Sequence, residues 1–296
     1  MANVKATYRA LLFPQRITDF GLLIKFKLSL TVVFSAVMAY LVLGGRSWLG
    51  ALGLFTGGML VTGAANALNQ VLEKDFDMLM ERTKDRPVAT GRITSAEAVL
   101  FAGLMSLVGI TLLGMFNPLT AFLGMVSLVL YAFLYTPLKR FSPVSVLIGT
   151  LPGALPILIG GAAIQGYISA LAIVIFTIQV LWQLPHFWAI GWLGFEDYQK
   201  AGFKLLPTKE QELDSRIGLY SFFAAIPLIF ISFLPIMVGD ISFGACLLVA
   251  ISSLIYTGFA WNFYRRADRK SAMALMFSSF AYLPIILLTY YIGSII

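Results

Sequence analysis

The chain has 296 residues with a net charge of +7, yet only 12% are charged and 59% are hydrophobic, against about 25% charged in soluble proteins. That balance excludes a soluble domain, and basic residues scattered through short loops follow the positive-inside rule rather than forming a nucleic-acid-binding surface. A single cysteine (Cys246) and a single histidine (His186) exclude disulfides within the chain, thiolate clusters and sites built on paired histidines.

Residues 1–20 carry Lys5, Arg9, Arg16 and Asp19 and no small-residue cleavage site, so they read as a cytoplasmic tail. Nine apolar runs follow, near 21–43, 48–70, 95–115, 119–136, 144–163, 168–191, 217–237, 242–263 and 272–294. Each is long enough to cross a hydrocarbon core of about 30 Å. With the tail inside, one face receives Lys25, Lys27, Lys74, Arg92, Lys204, Lys209, Arg216, Arg265, Arg266, Arg269 and Lys270 among others, while the opposite face receives Arg46 alone. This asymmetry sets the N-terminus in the cytoplasm, and an odd number of spans sets the C-terminus outside. The outer connections, such as Asn117-Pro118 and Gly239-Asp240, are minimal. The inner ones, about 71–94, 137–143 and 192–216, are longer and hold most of the acids. The expected architecture is an all-α integral membrane protein, a single polytopic domain over 1–296 whose function faces the cytoplasm.

The first long inner loop begins as a continuation of the second span. At about 100° per residue, Asn69, Glu73 and Asp77 fall within roughly 80° of one another on one helix face. Two carboxylates and an amide aimed at one spot repel unless a cation joins them, and Mg²⁺ favours one or two carboxylates together with phosphate oxygens. Arg82, Lys84 and Arg86 follow at once and suit the remaining phosphate charge. The stretch reads as a Mg²⁺-diphosphate site at a membrane surface; a solvated, charge-mixed loop is the plainer alternative.

Further along, Tyr135-Thr136-Pro137-Leu138-Lys139-Arg140 ends the fourth span with either ordinary stop-transfer charges or further phosphate donors, Tyr135 offering its hydroxyl. Lys25 and Lys27 at the first span either snorkel to the interface or join the same pocket. Gly149, Pro152, Gly153, Pro156, Gly160 and Gly161 give the fifth span close packing and breaks. His186, within Trp182-Gln183-Leu184-Pro185-His186-Phe187-Trp188, is an ionisable group inside a span, a functional-site hypothesis set against a simple bond to a helix carbonyl. The loop after the sixth span, Phe195 to Gly202, places acids and then bases just past an apolar helix, as the loop after the second span does. Four spans separate the two, which suggests either an internal repeat or only shared loop composition.

Together these residues resemble the intramembrane prenyltransferases of the UbiA superfamily, over almost the whole chain. Asn69 to Arg86 resembles the first acidic motif, including Met80-Glu81-Arg82-Thr83, and Tyr135 to Arg140 resembles the loop after helix 4. Pro185-His186-Phe187-Trp188-Ala189 with Asp197-Tyr198-x-x-Ala201-Gly202 resembles the branch that farnesylates haem. The departures are Glu73 where Asp is frequent, Ala201 four residues after Asp197 where a second Asp is frequent, Lys25-Phe26-Lys27 in place of Lys-Pro-Arg, and Ser145 in place of Asn. The resemblance implies a bundle with a central cavity open to the cytoplasmic side. It implies transfer of farnesyl from farnesyl diphosphate to a vinyl group of haem B, giving haem O, with haem as substrate and Mg²⁺ as cofactor. Asn69, Glu73, Asp77 and Asp197 would hold the metal and carry catalysis. Lys25, Arg82, Lys84, Arg86, Tyr135, Lys139, Arg140, His186, Tyr198 and Lys200 would bind substrates. A bacterial-type plasma membrane and a haem A synthase or terminal oxidase assembly as recipient complete the expectation. The alternatives are a prenyltransferase acting on a quinone precursor and a cation-coupled transporter; the latter would place its acids nearer the bilayer midplane.

Overall fold

The computed structural model describes residues 15–209, 212–214, 216–239 and 241–296. Lys5 and Arg9 of the expected tail, and Asp240 of an expected outer turn, lie outside them. The chain begins with two helices, α1 (Gln15–Leu23) and α2 (Phe26–Val42), bent by 49°. Thus residues 15–20, expected in the tail, are already helical. Lys25 sits in the break at φ 48° and ψ 56°, the left-handed region that a non-glycine residue occupies at a cost. The next helix, α3 (Trp48–Leu72), explains how the break is tolerated. Gln70 Nε2 donates to the carbonyls of Leu22 (2.9 Å) and Leu23 (3.0 Å), and Asn66 Nδ2 to that of Ile24 (3.3 Å) and to Ser29 Oγ (3.1 Å). Broken helices persist at membrane depth only where neighbouring groups satisfy the freed backbone.

A short helix, α4 (Lys74–Asp77), and a run of turns lead to α5 (Ser95–Gly114), which opens on a Thr94–Glu97 capping box. Asn117 caps α6 (Pro118–Val129), which runs on through a π-helical turn at Leu130–Tyr135 into α7 (Thr136–Leu138). Then come α8 (Val144–Gln165), α9 (Ala170–Leu193) and the short α10 (Phe195–Lys200). A two-residue hairpin pairs Thr208 with Leu213 and Lys209 with Glu212. The chain finishes with α11 (Ile217–Ile231), α12 (Leu234–Val238), α13 (Phe243–Arg266) and α14 (Arg269–Gly293).

Among the described residues, seven helices are long and apolar enough to cross a membrane, or eight when the bent α1–α2 pair counts as one span. The single helix expected over 217–237 is divided at Ser232 and Phe233, with Pro235 in the first turn of α12. At 15 residues α11 falls short of the roughly 20 needed to span alone. α3 packs along α5, α11 along α13, α13 along α14, and α14 returns to α2, while α8 and α9 lie against one another. At Gly160 of α8 an added Cβ would stand 2.0 Å from the Ala36 carbonyl oxygen, so glycine is what lets α2 and α8 approach. The prolines of α8 are also accommodated. Pro156 cannot bond the Pro152 carbonyl, and Ser127 Oγ donates to it instead at 3.3 Å. On α5, Leu100, Leu104 and Leu107 point outward while Ala98, Ala102 and Met105 are buried, the inverse of a soluble helix.

Candidate active site

The site grows from the end of α3. Glu73 is the non-helical residue that follows Leu72 and α4 starts immediately after it, so the helix face expected through Asn69, Glu73 and Asp77 is interrupted. The register survives the interruption. Glu73 N donates to Asn69 O (3.0 Å) and Asp77 N to Glu73 O (2.8 Å), keeping all three residues in the four-residue succession that stacks side chains. All three are buried.

Each of the three side chains holds a cation or a donor. Lys25, carried inward by its left-handed backbone, donates Nζ to Asn69 Oδ1 at 2.7 Å. Asn69 Nδ2 donates to Thr136 Oγ1 (3.1 Å), and Thr136 donates onward to the Tyr131 carbonyl (2.8 Å) inside the π-helical turn. Lys139 forms an ion pair with Glu73. Arg86 Nη1 bonds both oxygens of Asp77, at 2.8 and 2.7 Å. Three cations therefore surround two carboxylates. Burial alone would push the Glu73 carboxyl up, but Lys139 against it, with Lys25 and Arg86 behind, holds it below the usual carboxylate range. For Asp77 the balance reverses: burial pushes it up, Arg86 pulls it down, and the Glu73 charge leaves it above its ordinary value.

Aromatic rings form the surround. The Lys139 ammonium lies 4.9 Å from the Tyr135 ring and 5.3 Å from that of Phe203. Gly149 makes the Tyr135 position available, since a Cβ there would stand 2.7 Å from that ring. Arg82 lies over the Tyr198 ring at 4.4 Å. The three inner loops converge here. Lys204 N donates to Lys139 O (2.7 Å), Phe76 meets Phe203 at 5.6 Å between centroids, and Met80, Val146, Ala201, Phe203 and Leu205 bury one another.

Not every expected residue comes to this cluster. Lys84 turns away to pair with Glu81 at the surface, and Lys200 is exposed on α10. Arg140 donates Nη2 to the Leu72 carbonyl (2.6 Å) and lies 3.9 Å from the Phe76 ring, so it caps the end of α3 instead of standing free for phosphate. Asp197 is half-buried on α10, and no group of three His, Cys, Asp or Glu side chains positioned to hold a metal is found among the described residues. His186 lies deeper, against Ser279 of α14. A cleft of about 450 Å³ runs beside α10, lined by Tyr198 and Phe203 but by none of Asn69, Glu73 and Asp77. The sequence reading missed Asn66, Gln70, Tyr131 and Thr136. Polar amides one turn apart on α3 are the signal that marks the first two.

The oxygen donors fit a hard divalent cation. They are a carboxamide and two carboxylates, buried, each already held against positive charge by Lys25, Lys139 or Arg86. Buried acids, each paired with a basic group, thus lie at the loop end of an α-helical membrane bundle.

Residues 29–282 match the UbiA prenyltransferase family, and the chain belongs to that family. Within it, the chain is 40% identical over 278 residues to a protein named protoheme IX farnesyltransferase from Cytophaga hutchinsonii, covering 92% of this chain and 96% of that one. The fold is similar to that of a digeranylgeranylglyceryl phosphate synthase (TM-score 0.79, 18% identity, 95% of this chain and 99% of the other). It is also similar to that of a UbiA homologue from Archaeoglobus fulgidus bound to DMAPP and Mg²⁺ (TM-score 0.67, 14% identity, 92% and 99%).

Proposed function

We propose that this chain transfers the farnesyl group of farnesyl diphosphate to a vinyl group of haem B, making haem O. The observation that carries the reading is the buried Asn69–Glu73–Asp77 series with its cations, in a chain 40% identical over nearly its whole length to a protoheme IX farnesyltransferase. Asn69, Glu73 and Asp77 would hold Mg²⁺, and a fold neighbour bound to DMAPP and Mg²⁺ supports that choice of ion. Bound there, the ion neutralises the departing diphosphate as a Lewis acid.

The protein's own groups do the rest. Lys25, Lys139 and Arg86, each paired with Asn69, Glu73 or Asp77, would exchange these partners for phosphate oxygens. Arg82 adds a further cation from over Tyr198. The C1–O bond of the farnesyl ester breaks and its electron pair leaves with the diphosphate. The vinyl π electrons form the new bond to C1. Water adds to the resulting porphyrin-side cation and releases a proton, giving the hydroxyethylfarnesyl group. The rings of Tyr135 and Phe203 lie where they shield an allylic cation from bulk water and stabilise it by their faces.

In this reading the protein makes nine passes of a bacterial inner membrane, α11 and α12 together forming one of them. The N-terminus and the three catalytic loops are cytoplasmic, the C-terminus is outside, and the substrate cavity opens among the loops. Asp197, half-buried on α10, would hold a second ion or anchor a basic partner. The product passes to a haem A synthase or terminal oxidase assembly. The test is incubation of purified protein with haem B and farnesyl diphosphate, with Mg²⁺ or with EDTA, and mass spectrometry of extracted haem. Farnesylated, hydrated haem that requires Mg²⁺ is expected. Consumption of farnesyl diphosphate without a haem product would overturn the acceptor.

A further inference from the structure

His186 lies within the last third of α9. It is on α9 seven residues before Leu193, about 10 Å from the helix end at 1.5 Å per residue. Its ring stacks on Trp182 (5.3 Å, 17°), meets Phe280 edge-on (5.2 Å, 71°) and lies 5.5 Å from Phe187. Trp182 is itself fixed, donating Nε1 to the Ser279 carbonyl at 3.0 Å while Tyr256 donates to the Trp182 carbonyl at 3.1 Å. Among the described residues, the one polar contact of the imidazole is Nδ1 to Ser279 Oγ, 2.6 Å.

That contact decides the tautomer. Ser279 Oγ also stands 2.5 Å from the Met276 carbonyl oxygen. A serine hydroxyl has a single proton. Two oxygens at that separation attract only if the proton lies between them, so it belongs to the bond with Met276. The short contact with His186 must then carry a proton from Nδ1 to the serine oxygen. Nε2 is left with its lone pair, and no hydrogen bond to it is formed among the described residues. His186 is 8% exposed and lies among the rings of Trp182, Phe187 and Phe280. A neutral imidazole held through Nδ1–H to an oxygen, with Nε2 presented, is the arrangement that binds metal.

We propose that His186 Nε2 is an axial ligand to the iron of the substrate haem, and that Ser279 is a positioning residue that fixes the tautomer and orients the ring. The proposal rests on the reading of haem as the acceptor. It gives a chain with a single histidine a means of holding a porphyrin at one height below the diphosphate site. Ligation through iron leaves the peripheral vinyl groups uncovered.

The decisive experiment needs no mutation. Protein without a histidine tag is grown with ¹⁵N-imidazole histidine, loaded with haem B and reduced, and the iron–histidine stretch is read by resonance Raman. Because His186 is the sole histidine, an isotope shift of that band identifies the ligand. Ser279→Ala should lower the frequency of the stretch and weaken haem binding about tenfold, the usual scale for loss of such an outer hydrogen bond, with Ser279→Thr restoring both. His186→Ala should lose the imidazole signature, regain it with added imidazole, and still bind farnesyl diphosphate with Mg²⁺. Wild-type protein that binds and farnesylates haem but shows no isotope shift would overturn the ligand assignment and leave the reaction standing. Wild-type protein that neither binds nor modifies haem would overturn both.

Discussion

The junction between α3 and α4 and the junction between α9 and α10 are built alike. Each long helix ends at a single non-helical residue, Glu73 at φ −105° and ψ 9°, Gly194 at φ −104° and ψ 15°, and a short helix starts at once. The hydrogen bonds correspond as well: Glu73 N to Asn69 O and Asp77 N to Glu73 O in one, Gly194 N to Ile190 O and Tyr198 N to Gly194 O in the other, all between 2.8 and 3.0 Å. The side chains at these stations differ completely. Asn69, Glu73 and Asp77 are answered by Ile190, Gly194 and Tyr198, so the second junction keeps the backbone and drops every metal-binding oxygen. Asp197 falls one position out of register with Asp77, which is why it does not complete a second carboxylate pair. What the second copy retains is an aromatic platform, Tyr198 beneath Arg82. The buried acids thus lie at one junction and the ring beneath Arg82 at the other.

The hardest test of that division is Asp77→Asn. It keeps shape and burial but removes one of the two charges, and loss of preorganised transition-state electrostatics is worth about a thousandfold in rate. Haem product measured by mass spectrometry should fall on that scale, whereas Tyr198→Phe at the matching station should leave the rate within about threefold, since the ring face remains. Equal losses in the two variants would break the comparison.

Glu73→Gln comes next and should show in stability. Lys139 is almost wholly buried and Glu73 is its ion-pair partner. Removing one member of a buried pair leaves an unanswered charge, at a cost of about 3 kcal/mol. The melting temperature should drop accordingly and recover when Lys139→Met is added. Activity should not recover in the double variant, because both the metal ligand and the phosphate donor are gone.

The acids also make opposite pH predictions. Asp77 titrates above its ordinary value of 3.8. In metal-free protein its stabilising contribution is therefore fully present below the unfolded value and is lost as pH rises through the folded one. Glu73 titrates below its ordinary value, so its contribution is present above that value and is lost as pH falls through the folded one. Mg²⁺ and the proton compete for Asp77. Metal affinity should rise with pH, by up to about tenfold per unit, until the raised Asp77 titration is passed. Isothermal titration with Mg²⁺ across this window should show the slope in the wild type and lose it in Asp77→Asn.

The sequence made the all-α membrane class, the three loops and the Asn69–Glu73–Asp77 succession readable, because hydropathy and a four-residue spacing are local properties. The break at Lys25 was not readable. Nothing near Leu22 to Lys25 demands a left-handed residue; the cause is Gln70 and Asn66, more than forty residues away, offering donors to the freed carbonyls. The division of 217–237 was carried by Pro235, which hydropathy alone passes over. The diversion of Arg140 to the end of α3 and of Lys84 to Glu81 was equally hidden, since charge shows that a residue can bind phosphate but not which partner it meets first. The likeness of the two loops was visible only as composition, and the structure adds to it a shared backbone geometry at the two junctions.

The smallest expected effect tests the second junction directly. In Tyr198→Leu the Arg82 guanidinium loses the ring 4.4 Å beneath it, while α10 keeps its backbone bonds. An exposed cation–π contact is worth about 0.5–1 kcal/mol, or a two- to fivefold rise in KM for farnesyl diphosphate. Mg²⁺ affinity should not move, because Asn69, Glu73 and Asp77 have not been touched. The effect should vanish in an Arg82→Ala background, since the ring acts only by holding that cation. If Tyr198→Leu instead weakened Mg²⁺ binding, the second junction would be contributing to the metal through its hydroxyl, and the two halves would share the chemistry that their side chains otherwise divide.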